Sequence, residues 1–179
     1  MRRRAIPPCL QTDAAAWRWA NKNVDMNLDH WDLTMDDVKA RARAYATFAR
    51  RAEHRGTVDV YRMVLVPSVK DVQIDNLGKY WSRYAKSTGT YAAPVKKTHM
   101  GGGRYRLGLT PGKDVLIHGL VAAKDVHWEF GFKNFMFFGE NQWELALKRN
   151  VPVQVVAIGS RRLTPPLDGN SGHARDEWS

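Results

Sequence analysis

The feature that most restricts the fold is a change of period at Gly56. Between Thr34 and Gly56, the residues Val38, Ala42, Tyr45, Phe48, Ala49 and Ala52 recur three and four apart. That spacing lines side chains up on one face of an α-helix. Thr34 stands three before Asp37, a capping-box-like start with Asp for the usual Glu or Gln, and Gly56 supplies the stop. Directly after it, TVDVYRMVLVP at 57–67 is β-branched and apolar and is ended by Pro67, so the chain switches from helix to strand. Further strand candidates are VLIHGLV at 115–121, the stretch Gln142 to Leu147, and VPVQVVAIG at 151–159. KRN at 148–150 reads as the turn of a hairpin between the last two. Helices first, then strands with few helices between them, predict an α+β fold rather than alternating βαβ units.

The remaining segments define one domain over 13–159, with a helical lead-in at 13–56 and a mixed sheet core at 57–159. An irregular basic arm, 1–12, carries Arg2, Arg3, Arg4 and Pro7-Pro8. Residues 160–179 read as a polar tail outside the core. Asp13 is the expected cap of a short helix through AAAWRWANK. DNLGKYWSRYAKS at 75–87 reads as a turn into a short helix, KKTHMGGGRYR at 96–106 as a basic glycine-rich loop, and WEFGFKNFMFFG at 128–139 as an aromatic connection. Lys39, Arg41, Arg43, Arg50 and Arg51 lie mostly off the apolar stripe of the long helix and read as a solvated basic face.

Composition removes several function classes. The lone Cys9 excludes an internal disulfide and a cysteine zinc cluster, and it fits a reducing compartment. No apolar stretch follows MRRRAIPPC, so no signal peptide is expected. The longest apolar segment, 115–123, is too short to span a bilayer, so a cytoplasmic, membrane-free protein is expected. The six histidines show no HExxH and no paired ligand spacing, so no metal is expected. P-loop, GxGxxG and GxSxG motifs are missing. Glu140 and Glu144 share one strand edge, a poor arrangement for a glycosidase pair. With 28 Lys and Arg against 18 Asp and Glu, the formal charge is +10. Such a field favours nucleic acid, an acidic protein surface or a phosphate-bearing ligand.

In the stretch GENQWELAL, Gln142 and Glu144 stand two apart, which on a strand places them on one face, opposite the apolar Trp143, Leu145 and Leu147. Two other pieces precede them: Arg62 within VYRMV and Ser82 within LGKYWS. Together they resemble the Arg–Ser–Glu signature of toxin-type mono-ADP-ribosyltransferases in its Q-x-E form. The context KDVHW at 124–128, Asn134, GENQWEL and the following V-P-V strand is similar to small bacterial and phage-encoded domains of that kind. The resemblance covers 57–159. It implies an ADP-ribosyltransferase-like fold of split β-sheets with an N-terminal helical lead-in. It further implies NAD+ as substrate, no metal, and a setting in the cytoplasm of a bacterial or phage-infected cell.

The resemblance also implies roles. Glu144 would stabilise positive charge developing on the ribose and hold its 2′-hydroxyl. Arg62 would bind the diphosphate, which a guanidinium grips in two places. Ser82 would orient Glu144 or the ribose, with Ser87-Thr88 as a rival for that position. Tyr80 or Trp81 would cover the nicotinamide. Gln142 would address the acceptor. An amide suits a neutral acceptor and not a guanidinium, so a nucleic-acid base or a protein side chain other than arginine is expected, on nucleic acid or a nucleic-acid-bound protein. Two alternatives stand beside this reading. One is an inactive copy of the fold serving as a basic nucleic-acid-binding or virion structural protein. The other is a nucleic-acid-binding module working through the helices at 13–55.

Overall fold

Thr34 accepts from the Asp37 amide at 3.1 Å while the Asp37 carboxylate accepts from the Thr34 amide at 2.7 Å, so the capping box read from the sequence opens the long helix. Gly56, at φ 78°, closes it in the left-handed conformation that only glycine adopts without strain. The structure, a computed structural model, describes residues 4–24, 32–85, 97–99, 105–107 and 113–172. Among these residues the helices are α1 (Asp13–Asn23), α2 (Met35–Arg55) and α3 (Trp128–Phe138). The strands are β1 (Thr57–Val66), β2 (Tyr80–Ser82), β3 (Lys97–His99), β4 (Tyr105–Leu107), β5 (Lys113–Ala122), β6 (Glu144–Ala146), β7 (Pro152–Ile158) and β8 (Arg161–Asn170). The class is α+β, as the period change at Gly56 predicts. None of the described helices is long and apolar enough to cross a membrane.

Six strands form one sheet in the order β6-β2-β1-β5-β7-β8, and β3 and β4 form a separate two-stranded ribbon. Every pairing among the described residues is antiparallel, where a mixed sheet was expected. Alternation sorts the side chains. Val58, Val60, Trp81, Ile117, Val121, Leu145, Val153 and Val155 are buried on one face, whereas Asp59, Tyr61 and His118 on the other are only partly covered. Backbone bonds Leu77 to Asn170 (3.0 Å), Gly78 to Ser171 (2.9 Å) and Asn170 to Ile74 (2.7 Å) tie the approach to β2 to the end of β8. Three strands separate β2 from β8 in the sheet order, so the sheet bends around its apolar face.

Tyr45 of α2 is fully buried and anchors the helices to the sheet edge. Its ring stacks on Phe132 (5.0 Å) and Trp143 (5.9 Å), and its hydroxyl donates to the Trp128 carbonyl at 3.0 Å. A fully buried ring of this size contributes about 2–3 kcal/mol by removal from water alone.

Several expectations are corrected. The segment 128–139, read as a connection, is helix α3; aromatic residues on more than one face concealed its period. LGKYWS holds strand β2, not a short helix. Half of the expected tail is strand β8, which pairs with β7 from Pro152↔Asn170 to Ile158↔Arg161 and is followed by the buried Ser171. As an edge strand it tolerates Pro165 and Pro166. The turn at 148–150 does not make a β6–β7 hairpin, because β7 pairs with β5 and β8. Gln142 ends a 3-10 turn, Gly139–Gln142, and the strand begins at Glu144, so the two do not share a strand. Thr12, not Asp13, caps α1 by accepting from the Ala15 amide at 3.1 Å. The basic face of α2 is partly engaged. Arg41 donates to the Met136 and Phe137 carbonyls at the end of α3, and Arg50 pairs with Asp13 at 2.7 Å. Residues 101–103 and the rival pair Ser87-Thr88 lie outside the described residues.

Candidate functional site

Short strands β2 and β6 pair so that Ser82 stands opposite Glu144, and β1 pairs with β2 so that Ser82 also stands opposite Tyr61. Tyr61 in turn faces His118 on β5. Cross-strand partners share a face, so Glu144, Ser82, Tyr61 and His118 form one row across four strands. At roughly 4.8 Å per strand the row spans about 14 Å.

Helix α3 orients the acidic end of that row. The His127 amide bonds the Ala146 carbonyl at 2.8 Å, and Val126 bridges to Leu147, so α3 starts hydrogen-bonded to the outer edge of β6. The helix passes so close to the strand that a Cβ on Gly131 would lie 3.1 Å from the Glu144 carbonyl oxygen. One turn on, Asn134 Nδ2 donates to Glu144 Oε2 at 2.9 Å. The amide N–H thereby fixes the direction of one carboxylate oxygen. Ser82 beneath it is 3% exposed.

The other end of the row carries groups that the sequence reading missed. Tyr61 and His118 stack at 4.5 Å with planes 16° apart. His118 Nε2 lies 2.8 Å from Asp59 Oδ1, and Arg55 donates to Asp59 Oδ2 at 3.1 Å. Burial works against the Asp59 charge, but hydrogen bonds from His118 and Arg55 outweigh it and hold the carboxyl below its ordinary range. Burial, then the Asp59 charge, pushes the Tyr61 phenol up. The signal for this cluster was in VDVYR, where Asp59 and Tyr61 alternate with buried valines.

Arg62 follows Tyr61, so its side chain leaves the strand on the opposite face from Ser82 and Glu144. Its Nη1 donates to the Tyr80 carbonyl at 2.6 Å. The guanidinium lies over Gly78, where a Cβ would come within 2.8 Å of Cζ; the absent side chain makes the approach possible. Trp81 is 2% exposed and its indole N–H donates to the Gly78 carbonyl at 2.9 Å, which makes it part of the core. Tyr80 is 38% exposed, on the face of Ser82, with Phe130 at 5.8 Å and Lys79 over its ring at 4.9 Å. The Gln142 side chain lies outside the described atoms. The structure therefore brings Ser82, Glu144 and Tyr80 to one face and places Arg62 and Trp81 on the other.

Comparison of the chain with protein-family models, with curated proteins and with solved structures found no match.

Proposed function

We propose that the chain is a mono-ADP-ribosyltransferase that moves ADP-ribose from NAD+ to a macromolecular acceptor, a nucleic-acid base or a protein side chain other than arginine, in the cytoplasm of a bacterial or phage-infected cell. The observation that carries this reading is the register of Ser82 against Glu144, with the Glu144 carboxylate held by Asn134. In the transfer, the bond between ribose C1′ and nicotinamide breaks with its electron pair leaving on nicotinamide. A bond from C1′ to the acceptor forms, and the acceptor releases a proton. Positive charge gathers on the sugar during that exchange, and a carboxylate of fixed orientation beside it lowers the barrier without having to reorganise. Glu144 serves this purpose, Asn134 sets its direction, and Ser82 supplies a hydroxyl at the base of the same site. Tyr80, exposed on that face, offers a ring to the nicotinamide.

One observation favours the second reading, an inactive copy acting as a basic nucleic-acid-binding or virion structural protein: the Arg62 guanidinium is spent on the Tyr80 carbonyl, across the sheet from Glu144. Incubation with NAD+ labelled on the adenylate phosphate, with cell nucleic acid and protein as acceptors, separates the two. The transferase reading expects label that survives either nuclease or protease but not both, lost in Glu144→Gln with unchanged circular dichroism. Asn134→Leu should keep the KM for NAD+ and lower kcat by about tenfold, in the range that positioning a catalytic group contributes. Absence of both label transfer and nicotinamide release from the wild-type protein would refute the transferase.

A further inference from the structure

Arg83 directly follows Ser82, and its amide bonds the Trp143 carbonyl at 3.0 Å, which pins it to the start of β6 at the same sheet end as Glu144. Its guanidinium carbon lies 4.0 Å from the ring centroid of Phe48, 4.0 Å from that of Trp143 and 4.8 Å from that of Tyr84. Phe48 meets Trp143 at 77° and Tyr84 meets it at 84°, so the three rings form a corner that holds the cation. The other partly buried arginines have acceptors. Arg41 donates to the Met136 and Phe137 carbonyls, Arg50 to Asp13, and Arg62 to the Tyr80 carbonyl. Among the described residues Arg83 has none, and its side chain is only partly buried. Burial lowers its pKa and Arg51 adds to that effect, against the opposing fields of Tyr84 and Glu140. Glu140 contributes its field without forming an ion pair with Arg83.

A guanidinium packed against aromatic rings, with no hydrogen-bond acceptor among the described residues, keeps its N–H donors for an acceptor with two oxygens in one plane. Little side-chain entropy remains to be lost on binding. The +10 charge of the chain favours an anion of high charge density. We propose that Arg83, held in the corner of Phe48, Trp143 and Tyr84, is a phosphate-binding site. The site takes a phosphate group whether it belongs to a free nucleotide or to a polynucleotide backbone, and it does not depend on the transferase reading.

The test is calorimetric titration at low salt with inorganic pyrophosphate and, separately, with a short single-stranded oligonucleotide. The proteins are wild type, Arg83→Met, Arg83→Lys and Arg161→Gln; the last removes one exposed cation at the β7–β8 turn. The proposal expects Arg83→Met to weaken one or both ligands by tenfold or more. Arg83→Lys, which keeps the charge but not the fork, should weaken the same ligand several-fold. Arg161→Gln should stay within twofold of wild type. Loss for pyrophosphate marks a nucleotide site, and loss confined to the oligonucleotide marks a backbone site. Equal weakening in Arg83→Met and Arg161→Gln, or no binding of either ligand by wild type, would overturn the proposal. Should Arg83→Met fail to fold, an unaltered affinity in folded Arg83→Lys would overturn it equally.

Discussion

Replacing Gly131 by alanine tests whether the contact between α3, Tyr45 and β6 is as tight as described. On an isolated helix the change is favourable by about 1 kcal/mol, because alanine has the better helix propensity. In this protein the new Cβ would overlap the Tyr45 hydroxyl and stand 3.1 Å from the Glu144 carbonyl oxygen. Tyr45 is fully buried among Phe132, Phe135, Trp128 and Trp143 and has nowhere to move. Overfilling such a site costs about 1–3 kcal/mol. Displacing the hydroxyl also breaks its 3.0 Å bond to the Trp128 carbonyl, a further cost of about 1 kcal/mol. The net expectation is a loss of about 1–3 kcal/mol, which for a chain of this length lowers Tm by about 2–4 °C per kcal/mol. Urea denaturation of Gly131→Ala, Tyr45→Phe and the double variant measures it. Tyr45→Phe removes the overlapping atom, so the double variant should be at least 1 kcal/mol more stable than the sum of the singles predicts. A Gly131→Ala protein more stable than wild type, or strictly additive singles, would refute the reasoning.

Two further outcomes follow from the titrating groups. Asp59 has a folded-state pKa below its unfolded value, so its contribution to stability is present above the ordinary carboxylate range and is lost as pH falls through the depressed value. Urea midpoints of the wild type should therefore fall on acidification below about pH 4, and Asp59→Asn should show a shallower fall; identical acid profiles would contradict the assignment. Burial first, and then the Glu129 charge, push the Cys9 thiol up from 9.0 to about 11. At pH 8 that leaves about a hundredfold less thiolate than an ordinary thiol carries. Disulfide-exchange reagents should label Cys9 slowly in buffer and quickly in urea, and rapid labelling of the folded protein would count against the raised thiol.

Helix α2 and strand β1 were legible because their signals are local. The Thr34–Asp37 box, the left-handed Gly56 and the β-branched run after it each act within a few residues. Strand β2 was not, since three residues cannot display a period of two against noise. Helix α3 was hidden by aromatic side chains on its buried and exposed sides alike, Phe132 and Phe135 inside, Phe130 and Phe138 outside. Strand β8 was hidden by prolines and charges that only an edge strand accepts. For the site, the sequence marked Ser82, Glu144 and Asn134 by resemblance but carried no sign of Arg83, whose isolation depends on what surrounds it.

The chain's own pattern determined that a capped helix would pass into a β-branched strand, and hence an α+β fold, because propensity, capping and alternation are written in neighbouring residues. It also determined the basic charge, which is a sum and needs no structure. Tertiary structure alone decided that Ser82 faces Glu144 and Tyr61 faces His118, that Arg62 leaves by the opposite face, and that Arg83 meets three rings. The physical reason is that strand register and side-chain packing join residues far apart in the chain, and a shift of one residue in any of those pairings would turn every group to the other side.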